Sequence, residues 1–106
     1  MFDIIIANTA KQDIKNTLAY IKDTLCNHKA AMELADMIQE EISSLGIFPF
    51  SGTPILDSFL ADYGFRFLLV KNYKVYYIAD KENQKVSIIR FLHATRDYES
   101  ILKKEV

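Results

Sequence analysis

The chain predicts an α+β fold, a helical hairpin packed on one antiparallel sheet, and three observations carry that expectation. An isoleucine-rich run opens the sequence, two stretches with apolar residues at helical spacing follow, and the second half holds three short runs of β-branched and aromatic residues divided by turns. With 106 residues, half of them hydrophobic, a quarter charged, and only three Gly and two Pro, residues 1–106 read as a single globular domain.

Phe2 to Asn8 is too short and too isoleucine-rich for a helix and reads as a buried first strand. Thr9 then starts a helix, with Gln12 at the reciprocal position of a capping box. Ile14, Leu18, Ile21 and Leu25 form its apolar stripe. Asn27 and His28 interrupt the pattern, after which Ala31, Leu34, Ala35, Ile38, Ile42 and Leu45 resume it, so the two helices form an antiparallel hairpin. Gly46 suits a left-handed residue after the second helix. The stretch Ile47 to Pro54 reads as a connection, and Asp62-Tyr63-Gly64 as a turn. Phe65–Val70, Tyr73–Asp80 and Lys85–His93 read as an antiparallel meander that completes a four-stranded sheet with the first strand. Thr95 is placed to cap a short final helix, with Asp97 and Glu99 in its first turn and Lys103 and Lys104 in its last.

If the meander loops pair Val70 with Tyr73 and Asp80 with Lys85, the two-residue alternation of side chains sorts the strands into two faces. Arg66, Val75, Tyr77, Ile88, Arg90 and Leu92 fall on one, and Phe67, Leu69, Lys74, Tyr76, Phe91 and His93 on the other. Both faces are mostly apolar. One hairpin has too little helix to cover both, so an uncovered face that meets a partner is expected.

Charge and composition exclude several classes. No apolar run approaches the ~20 residues of a membrane-spanning helix, and the N-terminus has no secretory-signal pattern, so a cytoplasmic location and no membrane partner are expected. Cys26 is the only cysteine, and with His28 and His93 far apart in sequence no metal or other cofactor is expected. Residues 1–60 set four lysines against eight carboxylates, whereas the rest sets nine basic against six acidic side chains. The basic later half is the part suited to phosphate or to an acidic partner.

The segments Gly64-Phe65-Arg66-Phe67-Leu68, Asn72 to Tyr77, and Val86 to Asp97, together with the helical hairpin and Phe48-Pro49…Gly52, resemble the RelE/ParE superfamily of bacterial toxins. Order and spacing carry this resemblance, which covers nearly the whole chain. It implies a growth-inhibiting, plasmid-stabilising toxin of a type II toxin–antitoxin pair, neutralised by a cognate antitoxin whose amphipathic segment wraps it. The superfamily includes ribosome-dependent mRNA endoribonucleases and poisons of DNA gyrase that do no chemistry of their own, so whether this chain is an enzyme depends on the branch.

A nuclease needs cations to stabilise a pentavalent phosphate and a general acid or base for the 2′-hydroxyl. Arg66, Lys74, Arg90, His93, Arg96 and Tyr98 are the candidates. Nuclease members present several Lys or Arg along the middle strands, whereas here Phe67 and Leu69 share the face of Lys74. The run Leu92-His93-Ala94-Thr95-Arg96-Asp97 looks more like the gyrase-poisoning branch. Arg90 interrupts an apolar strand and requires a partner anion, from the fold or from a ligand. His93 has a packing role as its alternative, and Arg96 and Asp97 a helix-dipole role.

Overall fold

The computed structural model describes residues 1–106. The chain runs through β1 (Asp3–Ile6), α1 (Asn8–Ala19), a π-helical turn over Tyr20–Thr24, α2 (His28–Ser44), β2 (Thr53–Pro54) and α3 (Ser58–Asp62). It continues through β3 (Phe65–Val70), β4 (Tyr73–Asp80), β5 (Lys85–His93) and α4 (Tyr98–Lys103). The sheet order is β1-β5-β4-β3-β2, with β1 parallel to β5 and the other pairs antiparallel.

The predicted α+β class and meander hold, but the sheet has five strands and not four. Thr53 and Pro54, expected to lie in a connection, pair with Phe67 and Arg66. Proline lacks an N–H, and this two-residue strand tolerates it because it lies at the edge of the sheet. The turn at Asp62-Tyr63-Gly64 closes the short helix α3, and Gly64 stands there at φ +83°, a left-handed conformation that a side chain would strain.

Several helix ends differ from the pattern because the expected capping side chains are engaged elsewhere. Ala7 is the N-cap of α1, while the Thr9 hydroxyl donates to the Ile89 carbonyl at 3.0 Å and Gln12 bonds Asn16. Regular α-helix stops at Ala19, and Leu25, expected on the core stripe, is exposed beyond the π-turn. Gly46 is not left-handed; it is buried, and its carbonyl accepts the Phe2 N–H at 2.8 Å. Asp97, not Thr95, caps α4 by accepting from the Ser100 N–H. The predicted loop pairs do form, Val70 with Tyr73 and Asp80 with Lys85.

Between those pairs the register slips by one residue. Tyr77 pairs with Ile88 but Tyr76 pairs with Arg90, which leaves Ile89 as a β-bulge. Beyond it the expected faces exchange: Phe91 and His93 join Val75 and Tyr73 on one face, and Arg90 and Leu92 join Tyr76 and Lys74 on the other. The bulged carbonyl is the one that Thr9 bonds, so α1 lies along the β5 edge where β1 has ended.

The hairpin covers the first face, packing Leu34, Ile38 and Ile42 against Val75, Tyr77, Ile88 and Phe91. The second face is not left open as expected. Helices α3 and α4 cover much of it, burying Leu60 and Leu102 with Phe65, Tyr76 and Leu92. Gly52 sits where a Cβ would lie 2.5 Å from the Tyr77 hydroxyl, and its N–H donates to that hydroxyl at 2.9 Å. The chain leaving α2 is thereby fixed to the sheet.

Candidate functional site

The fold distributes the six candidate residues over four separate environments. Arg66 lies opposite Tyr77 and donates to the Phe50 and Gly52 carbonyls at 3.1 and 2.8 Å, with its guanidinium 5.4 Å from the Phe50 ring centre. These contacts, both from Nη1, hold the loop after α2. The expectation that Arg66 and Arg90 share a face is corrected by the bulge, which turns Arg90 to the other side.

Arg90 finds its anion within the fold. Its Nε and Nη2 reach the two Asp13 oxygens at 2.6 and 2.9 Å, and Nη1 reaches Glu105 at 3.3 Å. Asp13 also accepts the Phe91 N–H at 3.1 Å, so one carboxylate from α1 ties both the side chain and the exposed edge of β5. The bidentate Asp13 contact, outweighing partial burial, raises the Arg90 pKa further. Sequence reading missed Asp13 as its partner, because 77 residues separate them and no local pattern marks the pair.

His93, now on the hairpin-covered face at the sheet's end, meets Tyr73 edge to face with ring centres 5.4 Å apart. Its Nδ1 is 2.8 Å from the Thr95 hydroxyl and accepts the Thr95 backbone N–H at 3.2 Å. A backbone N–H can only donate, so Nδ1 carries the lone pair and the neutral ring has its proton on Nε2. In that tautomer Nε2 is a hydrogen-bond donor. Arg96 is exposed, has no carboxylate partner, and lines with His93, Tyr73 and Asn16 a shallow concavity of about 210 Å³.

Lys74 and Tyr98 lie on the opposite face. The Lys74 ammonium stands 4.3 Å from the Phe67 ring centre, a cation–π contact, and Tyr98 stacks on Tyr76 with ring centres 5.5 Å apart. Burial pushes the Tyr76 hydroxyl up to about 12, and that hydroxyl makes no hydrogen bond to the protein. Tyr98 is raised as well, first by desolvation and then by nearby carboxylates. Neither phenol is poised as a base near neutral pH. Beside them, Asp57 accepts the Leu60 N–H and pairs with Lys103 at 3.1 Å, fastening α3 to α4. No group of three or more His, Cys, Asp and Glu side chains is arranged to hold a metal ion.

Comparison with known proteins places this arrangement among toxins. The family described as ParE toxin of the type II toxin–antitoxin system parDE matches residues 4–98. The fold is similar to a chromosomal ParDE system from P. aeruginosa, at TM-score 0.69 and 15% identity over 88% of this chain and 96% of that one. It is also similar to the RelBE2 toxin–antitoxin complex from Mycobacterium tuberculosis, at TM-score 0.62 and 22% identity over 87% and 96%. The isolated E. coli RelE toxin aligns over the whole of both chains at TM-score 0.60 and 11% identity. No curated protein matches the chain in sequence.

Proposed function

This chain belongs to the ParE toxin family of type II toxin–antitoxin systems, and from that premise we propose that it arrests growth by binding and poisoning DNA gyrase, with no catalysis of its own, until a cognate antitoxin neutralises it. The observation that carries the choice of target is the dispersal of the would-be catalytic groups. Arg90 is engaged by Asp13 and Glu105, Arg66 by two carbonyls, and Lys74 lies on the face opposite His93. Phosphoryl-transfer chemistry needs cations and a base converging on one phosphate. His93, with its proton on Nε2, is suited instead to donate a hydrogen bond to a protein acceptor, beside the unpaired guanidinium of Arg96. A net charge of −1 is in keeping with a protein target, since each phosphate contact gains from a basic surface through counterion release.

The test is induction of the chain in cells without its antitoxin, followed by primer extension on abundant transcripts and assay of double-strand DNA breaks. Breaks with intact transcripts are expected. Codon-phased mRNA cuts without breaks would overturn the reading and make the chain a RelE-like ribosome-dependent endoribonuclease.

A further inference from the structure

The concavity beside Arg96 lies between α1 and the end of β5, and its only carboxylate and its only side-chain amide oxygen are both occupied within the fold. Asp13 gives both oxygens to Arg90 and accepts the Phe91 N–H as well. Asn16 accepts the Gln12 side-chain amide at 2.8 Å through Oδ1, which leaves the two N–H groups of its Nδ2 free to donate. Asp97, next to Arg96 in the chain, is turned to the start of α4, where it accepts from the backbone N–H and the hydroxyl of Ser100. Arg96 is consequently the one charge in the wall without a counter-ion, and His93 adds its Nε2–H to the same space.

The segment that carries these groups is held in place before any ligand arrives. The Ala94 N–H donates to the Asn72 carbonyl at 2.8 Å, the Arg96 N–H to the His93 carbonyl at 2.9 Å, and the Thr95 N–H to His93 Nδ1 at 3.2 Å. Tyr73, stacked on Phe91 with ring centres 5.1 Å apart, supplies an aromatic wall. A volume of about 210 Å³ has room for one side chain and not for a helix or a strand. Donors fixed in advance lower the ordering cost of binding, and a guanidinium with further N–H donors beside an aromatic ring suits a carboxylate whose methylene stem packs on that ring. A strand of duplex nucleic acid carries a phosphate about every 3.4 Å along its axis and gains from a row of cations. Here a single unpaired cation shares the wall with Asp13, and Asp97 and Glu99 follow it in the chain. The surroundings thus favour one isolated carboxylate over a chain of phosphates.

We propose that the concavity formed by Arg96, His93, Asn16 and Tyr73 binds the side-chain carboxylate of an Asp or Glu on the target protein, its oxygens taken by the guanidinium and by the N–H donors of His93 and Asn16. It rests on the reading of the target as a protein and names the group by which that protein is held.

Two measurements on the full-length chain test it. In the first, NMR shifts of Asn16, His93 and Arg96 are followed during titration with glutamate blocked as its N-acetyl methylamide, with the blocked glutamine and dimethyl phosphate as comparisons. Saturable shifts with a Kd of about 1–10 mM are expected for the blocked glutamate alone. Arg96→Gln and Asn16→Asp, both at exposed positions, should each weaken that binding about tenfold; the second keeps an acceptor for Gln12 while placing a like charge in the wall. No saturable shift up to about 100 mM, or equal shifts with the blocked glutamine, overturns the site. Dimethyl phosphate bound as tightly as the blocked glutamate, or more tightly, overturns it in favour of a nucleic-acid phosphate. In the second measurement, binding to purified DNA gyrase should fall about tenfold in Arg96→Gln and in Asn16→Asp, and less in Arg96→Lys, which keeps the charge without the planar fork. Gyrase binding unchanged in the first two variants overturns the proposal and leaves the choice of target intact. A wild-type chain that binds the blocked glutamate but not gyrase supports the carboxylate site and defeats gyrase as the target.

Discussion

Replacing Arg90 by alanine separates packing from chemistry more sharply than any other single change. The guanidinium makes two short contacts to Asp13 and a longer one to Glu105, and the Arg90 and Asp13 side chains are only 20% and 16% exposed. Breaking a fully buried pair by deleting one partner costs about 3–5 kcal/mol, because the other charge is left desolvated. This pair keeps some contact with water, and Asp13 would retain the Phe91 N–H, so a loss of about 2–3 kcal/mol is expected. For a domain of this size that lowers Tm by about 10–20 °C. Urea unfolding of wild type, Arg90→Ala, Asp13→Ala and the double variant would measure it, with a coupling of about 1–2 kcal/mol between the two sites. Any loss of toxicity in Arg90→Ala should then follow the loss of folded protein. A variant within about 0.5 kcal/mol of wild type that has nonetheless lost toxicity would refute the structural assignment and return Arg90 to a functional role.

Three further outcomes follow from the same geometry. Tyr76→Phe removes a buried hydroxyl with no protein partner and should stabilise the chain by about 1–2 kcal/mol at neutral pH. Because burial raises the Tyr76 pKa to about 12, wild-type stability should fall as pH rises from about 10, where the unfolded phenol ionises, towards 12; the Phe variant should lack that contribution, as paired alkaline melts would show. Asp57 is held below the usual carboxylate range, first by the Leu60 N–H and then by Lys103, so its contribution is present above about pH 4 and disappears as pH falls through the lowered value; acid titration of Asp57→Asn should show a shallower loss. His93→Ala and Arg96→Ala, both at exposed positions, should leave stability within about 0.5 kcal/mol while lowering toxicity, which growth curves alongside thermal melts would check.

The strands of the meander could be read from the sequence because their alternation and their turns agree: Val70 and Tyr73 flank Lys71-Asn72, and Asp80 and Lys85 flank the next loop, as observed. The bulge at Ile89 could not, since neither glycine nor proline marks it and the residues on both sides remain apolar or β-branched. One unmarked residue was enough to place Arg90 on the wrong face and to join it with Arg66. Helix α3 escaped notice because five residues hold barely more than one turn of periodicity. The misplaced caps share another cause. Thr9 and Thr95 are good capping residues by type, but a tertiary contact to the Ile89 carbonyl claims the first hydroxyl and a local contact to the His93 ring, two residues back, claims the second. The candidate site suffered most, because its meaning depends on partners such as Asp13 and on the ring tautomer of His93, which only the assembled fold determines.

The bulge makes β5 a strand with two phases, in step with β1 before Ile89 and out of step with that ladder after it. Length is consequently a more fragile property of this strand than composition. Deleting Ile89 would restore an uninterrupted ladder with β4 and, by the same stroke, force the two ends of the strand into one alternation. Ile88 would stay opposite Tyr77 and Arg90 opposite Tyr76, so every side chain would keep its face and the pairing with β1 its register, and what would be lost is the carbonyl that Thr9 bonds. A one-residue deletion elsewhere in β5, which would keep the bulge, is the change that would turn one end of the strand to the wrong face.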